Sequence, residues 1–157
     1  KCINDDKIDY YYPDYNIFRS LNQSVKWAED RLNYYKTFYS NGSTKEEGQV
    51  YYDKWDGLYR NNYENGNIRE KKNYNKGTLN GKYYYYYSNG KVKEDKFYVD
   101  GKLEGGCYIY YSTGQIWIKS QYKNGKLEGN RDVYFEGGKI EKTELYKNGF
   151  KVGKPHH

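Results

Sequence analysis

Apolar and polar positions along this chain return every 24 residues: Ile68, Val92, Ile116 and Ile140 form one column, and Leu79, Leu103 and Leu127 another. Aromatic residues keep the same step, with Tyr39, Tyr63, Tyr87, Tyr111 and Phe135 in one column and Tyr74, Tyr98, Tyr122 and Tyr146 in a second. Three glycine columns run beside them, headed by Gly42, Gly77 and Gly57, and together hold fourteen of the seventeen glycines. A fixed period in this range marks a quasi-linear array in which each unit packs on its copy. The unit is clearest from Gly81 to Gly105, GKYYYYYSNGKVKEDKFYVDGKLEG. Asn89-Gly90 and Asp100-Gly101 are dipeptides that favour two-residue type I′ turns, in which both central residues take positive φ. Two turns per unit mean two strands per unit. The sequence therefore predicts an all-β fold, an elongated antiparallel sheet of tandem hairpins about 45 to 50 Å long.

Strand alternation divides the unit into two faces. Turning at Asn89-Gly90 sets Tyr87 opposite Val92, and turning at Asp100-Gly101 sets Tyr98 opposite Leu103. One face then carries Leu79, Tyr83, Tyr85, Tyr87, Val92, Tyr98, Leu103, Cys107, Ile109 and Tyr111, the columns that repeat most strictly. It is the predicted packing face. The other carries Tyr84, Tyr86, Phe97, Tyr108, Tyr110, Tyr134 and Trp117, mixed with Lys93, Asp95 and Gln121, and its chemistry changes from unit to unit. Columns that pack on their copies must repeat, whereas a recognition face is free to vary.

The outer segments depart from the pattern. Residues 1–25 lie before the clear repeat and read as a cap, partly helical or entering a first degenerate strand, over the open edge of an array spanning 26–153. Residues 154–157 end in His156-His157 and look like the remnant of a purification tag. The chain begins at Lys1 without methionine, which fits an export signal removed upstream and an extracytoplasmic location. No stretch approaches the roughly 18 apolar residues of a membrane-spanning helix.

Leu, Ile, Val and Phe total only 26 residues, a composition that ordinarily signals disorder, but twenty-four tyrosines take their place. Tyrosine joins a large ring to a polar tip, which suits a thin sheet whose rings stay partly wet. The balance of 27 basic and 21 acidic residues gives a net charge of +6, distributed in mixed runs such as KVKEDK. That mixture breaks any continuous track for nucleic acid.

Apart from the two terminal histidines the chain has none, so histidine-based triads and metal sites are absent from the repeat. The carboxylate pairs Glu94/Asp95 and Glu104/Glu128 have the residue types of a glycosidase, yet the latter pair recurs in equivalent KLEG turns and reads as solvated loop residues. No glycine run opens a helix as a phosphate loop requires. The expectation is a protein without enzymatic activity, catalytic residues, metal or cofactor. Cys2 and Cys107 allow one disulfide or two free thiols.

The units YYSNGKVKEDKFYVDGKLEG and YYSTGQIWIKSQYKNGKLEG resemble the bacterial variant of the MORN repeat: an aromatic pair, Asn-Gly, an aliphatic residue, then Tyr-x-Asn-Gly-Lys-x-x-Gly. The resemblance runs from Tyr34 to Gly153 and is strongest from Gly57 to Gly129. Toward the start Asp53 replaces a turn glycine and Thr44 the aliphatic residue; toward the end Gly137 and Lys151 depart from the pattern. The resemblance implies a hairpin scaffold that binds proteins, itself or lipid. Aromatic hairpin repeats that bind choline or glucan are a weaker likeness.

A protein-interaction scaffold, with homodimerisation as one form of it, is the leading expectation. The candidate anchors are Tyr84, Tyr86, Phe97, Tyr108, Tyr110 and Trp117. The alternatives are an anionic membrane surface met by Lys91, Lys102, Lys126 and Lys139, or cell-wall carbohydrate stacked on the rings.

Overall fold

A computed structural model describes residues 32–153, so the predicted cap, the terminal tag and Cys2 lie outside the described residues. The described residues form one open antiparallel sheet of thirteen strands and no helix. The strands are β1 (Leu32–Phe38), β2 (Thr44–Tyr51), β3 (Lys54–Asn62), β4 (Ile68–Asn75), β5 (Thr78–Tyr86), β6 (Val92–Val99), β7 (Lys102–Leu103), β8 (Gly105–Tyr110), β9 (Ile116–Lys123), β10 (Lys126–Leu127), β11 (Gly129–Tyr134), β12 (Ile140–Lys147) and β13 (Phe150–Lys151). Each strand pairs with its sequence neighbours, the short β7 and β10 being the first residues of interrupted strands that continue as β8 and β11. The all-β hairpin array is therefore present as the 24-residue period requires.

The two turn classes differ, which corrects the expected register. Asp100-Gly101 is a type I′ turn with φ 47° and 78°, and Tyr98 faces Leu103 as expected. At Asn89-Gly90 only the glycine has positive φ, 85°. Gly90 N–H donates to the Tyr87 carbonyl at 2.9 Å and Tyr87 N–H to the Lys91 carbonyl at 2.8 Å, which is the three-residue hairpin loop, a type I turn followed by a left-handed glycine. Asn89 serves through its side chain, accepting from Lys91 N–H at 3.0 Å and donating to the Ser112 carbonyl of the next hairpin at 3.2 Å.

In the same hairpin, just beyond the loop, the ladder passes from Tyr86 opposite Val92 to Tyr85 opposite Glu94, leaving Lys93 as an extra residue. Equivalent bulges leave Arg69, Trp117 and Glu141 extra in their hairpins. A bulge turns the chain by one residue relative to its partner. It moves Val92 to the face of Tyr86, against expectation. It also moves Lys93 and Trp117 onto the packing face: Lys93 Nζ lies 5.5 Å from the ring centroids of both Tyr85 and Tyr87, and the Trp117 ring 5.7 Å from Tyr111.

The remaining assignments agree with alternation. Tyr59, Cys107, Ile118 and Val133, the buried apolar side chains, share one face, called here the packed face. Leu58, Phe97, Val99 and Leu145 are exposed on the other, the open face. The packed face is far from purely apolar. Glu94 pairs with Lys96 at 2.6 Å, Glu70 with Lys72 at 3.1 Å, and Lys72 Nζ stands 4.9 Å from the Tyr59 ring. Burial, reinforced by neighbouring carboxylates, holds the Tyr59 and Tyr83 hydroxyls far above the usual phenol range. Cys107, free among the described residues, is a buried thiol on this face, pushed up chiefly by burial.

Hairpins are stitched to their successors by polar columns. Tyr39, Tyr63, Tyr87 and Tyr111 each donate a hydroxyl bond of 2.7 Å to the backbone carbonyl 23 residues ahead. Along the opposite long edge, Gly77, Gly101, Gly125 and Gly149 donate to carbonyls of the preceding hairpin at 2.7 to 2.8 Å. Glu104 accepts from Asn124 N–H at 2.7 Å and Glu128 from Asn148 N–H at 2.8 Å. These glutamates, expected as solvated loop carboxylates, anchor the next turn. The outer units keep this register: Tyr52 and Asp53 both take positive φ without a glycine, and Gly138 closes its loop on Phe135.

Candidate functional site

Strand β5 contributes Tyr84 and Tyr86 to the open face, β6 contributes Asp95 and Phe97, and β8 contributes Tyr108 and Tyr110. The register sets Tyr84 and Tyr108 directly opposite Asp95 on either side. Cross-strand neighbours of this kind bring their Cβ atoms to about 5 Å, so the carboxylate of Asp95 stands between two rings. Tyr86 and Tyr110, two residues further along the same strands, extend both walls in the same direction. The Tyr84 and Tyr86 ring centroids are 6.2 Å apart. Five of the six expected anchors thus share the centre of one face. Trp117 does not join them, because the β9 bulge turns it to the packed face.

Electrostatics distinguish this basin from the rest of the sheet. Burial lifts the Asp95 carboxyl above its ordinary range, and Lys82 draws it back only in part. Tyr86 is raised by burial, then by Tyr84 and Asp95; Tyr110 by burial, then by Asp95 and its tyrosine neighbours. Lys82 Nζ donates to the Tyr84 hydroxyl at 3.1 Å and sits 5.7 Å from its ring centroid. Lys71 lies opposite Tyr84 and Lys119 opposite Tyr108, so lysines rim a centre that is aromatic and acidic. Among the described residues Asp95 makes no hydrogen bond and no ion pair.

Toward β1 the open face changes character. Glu47 is held between Lys36, at 3.1 Å, and Arg60, each directly opposite it on a neighbouring strand. Burial alone would raise the Glu47 carboxyl, but hydrogen bonds from Lys36 and Tyr34 and the Arg60 charge outweigh it and hold it low. Tyr34, Glu47 and Arg60, with Gln49, Leu58, Ile68 and Lys71, line an open hollow of about 390 Å³.

The alternative lysines do not form one patch. Lys91 and Lys139 belong to the three-residue loops on one long edge, Lys102 and Lys126 to the type I′ edge across the full width of the sheet. Lys91 is also engaged, its Nζ donating to the Thr113 carbonyl at 2.7 Å. The stems of Lys102 and Lys126 lie against the turn glycines Gly125 and Gly149 of the following hairpins, within 3.6 Å of where a Cβ would stand.

Glu94 and Asp95, a candidate acid and base pair by type, point to opposite faces as adjacent strand residues. Glu104 and Glu128 are committed to backbone amides. Among the described residues no three His, Cys, Asp or Glu side chains converge as metal ligands. Sequence reasoning noted Asp95 on the aromatic face but missed that it is the centre of the basin. The signal was present in its column, which reads Glu47, Lys71, Asp95, Lys119, Thr143 and offers a carboxylate between tyrosine columns only here.

The family model described as a MORN repeat variant matches four consecutive stretches, 55–76, 79–100, 101–124 and 127–148. The stretches begin at Trp55, Leu79, Gly101 and Leu127, at or just after a two-residue turn, and each includes one three-residue loop. No curated protein matches the chain.

Proposed function

The chain belongs to the MORN repeat variant family, whose repeats are in general modules that mediate protein or membrane interactions, and from that premise we propose that it is a non-enzymatic scaffold docking a protein partner on its open face. The observation that carries this reading is the aromatic basin of Tyr84, Tyr86, Tyr108 and Tyr110 with Phe97 beside it. Phe97 is 41% exposed, and all five rings are held on three neighbouring strands. Rings on a rigid sheet lose little conformational freedom on binding and commonly dominate interface energetics. The partner is another protein or a second copy of the chain. An extracytoplasmic setting belongs to the same proposal.

The test replaces Tyr86 and Tyr110 together by Ser, with Trp117→Ser as the control on the opposite face. Folding is followed by circular dichroism, partner capture by affinity pull-down from cell and membrane extracts, and self-association by light scattering. The double variant should lose the captured partner or the dimer mass while Trp117→Ser keeps it. Unchanged capture and unchanged mass in the double variant would remove the open face as the docking surface.

A second reading, attachment to an anionic membrane surface, draws on Lys102 and Lys126 at the turn edge together with the open-face lysines Lys82 and Lys119 further along the strands. Vesicle sedimentation that falls steeply between low and high salt would favour it. Carbohydrate stacked on the same rings would bind without salt dependence.

A further inference from the structure

The open face contains one lattice position occupied twice by a carboxylate, with opposite surroundings. Glu47 and Asp95 stand 48 residues apart in the same column. The residues directly opposite Glu47 are Lys36 and Arg60, and both pair with it. The residues directly opposite Asp95 are Tyr84 and Tyr108. The array thus shows how it satisfies a carboxylate here, with a cation from each side, and at Asp95 it substitutes a ring for each cation.

Two further features select the kind of group that would complete the position. Ring faces attract cations through their quadrupole, and the array already holds an instance, Lys82 on Tyr84. A partly desolvated carboxylate gains most from a charged donor that matches both its oxygens.

We propose that Asp95, with Tyr84, Tyr86, Tyr108 and Tyr110, is a receptor for one arginine side chain of a protein partner. The proposal rests on the scaffold reading of the open face and names the chemistry of its partner. A guanidinium fits better than an ammonium because its planar face stacks on a ring while its fork reaches both carboxylate oxygens. Lys71, Lys82 and Lys119 around the rim repel a polybasic segment and favour an arginine flanked by acidic residues. The recognition element is therefore a single arginine in an acidic setting.

The experiment uses the full chain and a blocked pentapeptide, Glu-Gly-Arg-Gly-Glu, titrated by two-dimensional amide NMR. Saturable shifts should be confined to residues 84–86, 94–96 and 108–110, with a dissociation constant of about 1 mM or tighter. The citrulline peptide, isosteric but uncharged, should bind at least about tenfold more weakly, as should Asp95→Asn with the arginine peptide. Tyr84→Lys, which supplies one of the two cations found beside Glu47, should also block the peptide. Absence of saturable shifts, equal binding of the citrulline peptide, or undiminished binding by Asp95→Asn would each overturn the proposal. Phosphocholine shifting the same amides more tightly than the arginine peptide would overturn it too, in favour of a quaternary ammonium. Should the peptide bind as expected while the Tyr86 and Tyr110 double variant keeps its captured partner, the arginine site stands and the scaffold reading of this face falls; the reverse pair of results rejects the site alone.

Discussion

Replacing Tyr87 by Phe tests what couples one hairpin to the next. The hydroxyl of Tyr87 donates to the Tyr110 carbonyl at 2.7 Å, bridging two successive loops, and the ring itself stays against Lys93. The substitution therefore removes one neutral hydrogen bond and little else. Net, such a bond contributes about 1 kcal/mol, and a partly buried carbonyl left with one partner fewer keeps the loss near that figure. With an unfolding entropy of about 2.1 cal/mol/K per residue over a sheet of roughly 120 residues, 1 kcal/mol corresponds to a fall in Tm of about 4 °C. Thermal melts followed by near- and far-ultraviolet circular dichroism would read this directly, with urea unfolding as a check on the free energy. Tyr84→Phe is the control, since among the described residues its hydroxyl meets only Lys82, on the open face, and it should shift Tm by less than about 1 °C. Tyr63→Phe combined with Tyr87→Phe should roughly double the effect, because the two bonds share no partner. Equal shifts in Tyr87→Phe and Tyr84→Phe, or none in either, would show that the hydroxyl column does not hold the array together.

Asp53 occupies the second position of a type I′ turn at φ 58°, where the other units have glycine; Asp53→Gly should relieve that conformation and stabilise by up to about 1 kcal/mol, read as a rise in Tm. Glu104→Ala removes the acceptor for Asn124 N–H and should cost about 1 kcal/mol, with increased amide exchange at Asn124 as its local signature. Glu47, held below its ordinary value of 4.5, adds stability that is fully present above that value and is lost as pH falls through its lowered folded value. A stability–pH profile of Lys36→Met should show a smaller acid loss than the parent chain. Asp95 has the opposite sign: its folded value is raised above 3.8, so its ionisation destabilises at neutral pH. Asp95→Asn should raise Tm at pH 7 and leave it unchanged near pH 2; a lower Tm at pH 7 would contradict the burial argument.

The fold was legible in the sequence because a repeat array is set by local rules. Glycine columns fix the turns, alternation fixes the faces, and each unit meets only its copies, so no long-range packing choice remained open. Asp100-Gly101 alone sufficed to place Tyr98 opposite Leu103. What the sequence could not decide was the loop at Asn89-Gly90. The same dipeptide serves a two-residue type I′ turn and, with Ser88, a three-residue loop, and the choice depends on how the twist of the paired strands is accommodated. That choice brings with it the bulge at Lys93, and the single extra residue reverses the faces of the residues at the loop end of the strand, Val92 and Lys93, while those beyond it keep theirs. Val92 and Trp117 were misplaced for that one reason, while Tyr84, Tyr86, Phe97, Tyr108 and Tyr110, lying before the bulge or clear of it, kept their expected side. The pairing of Asp95 with two tyrosines, and of Glu47 with two cations, was likewise a matter of register between strands. Composition and periodicity along a chain name the columns, but which residue stands opposite which is settled only when the hydrogen-bonded ladders close.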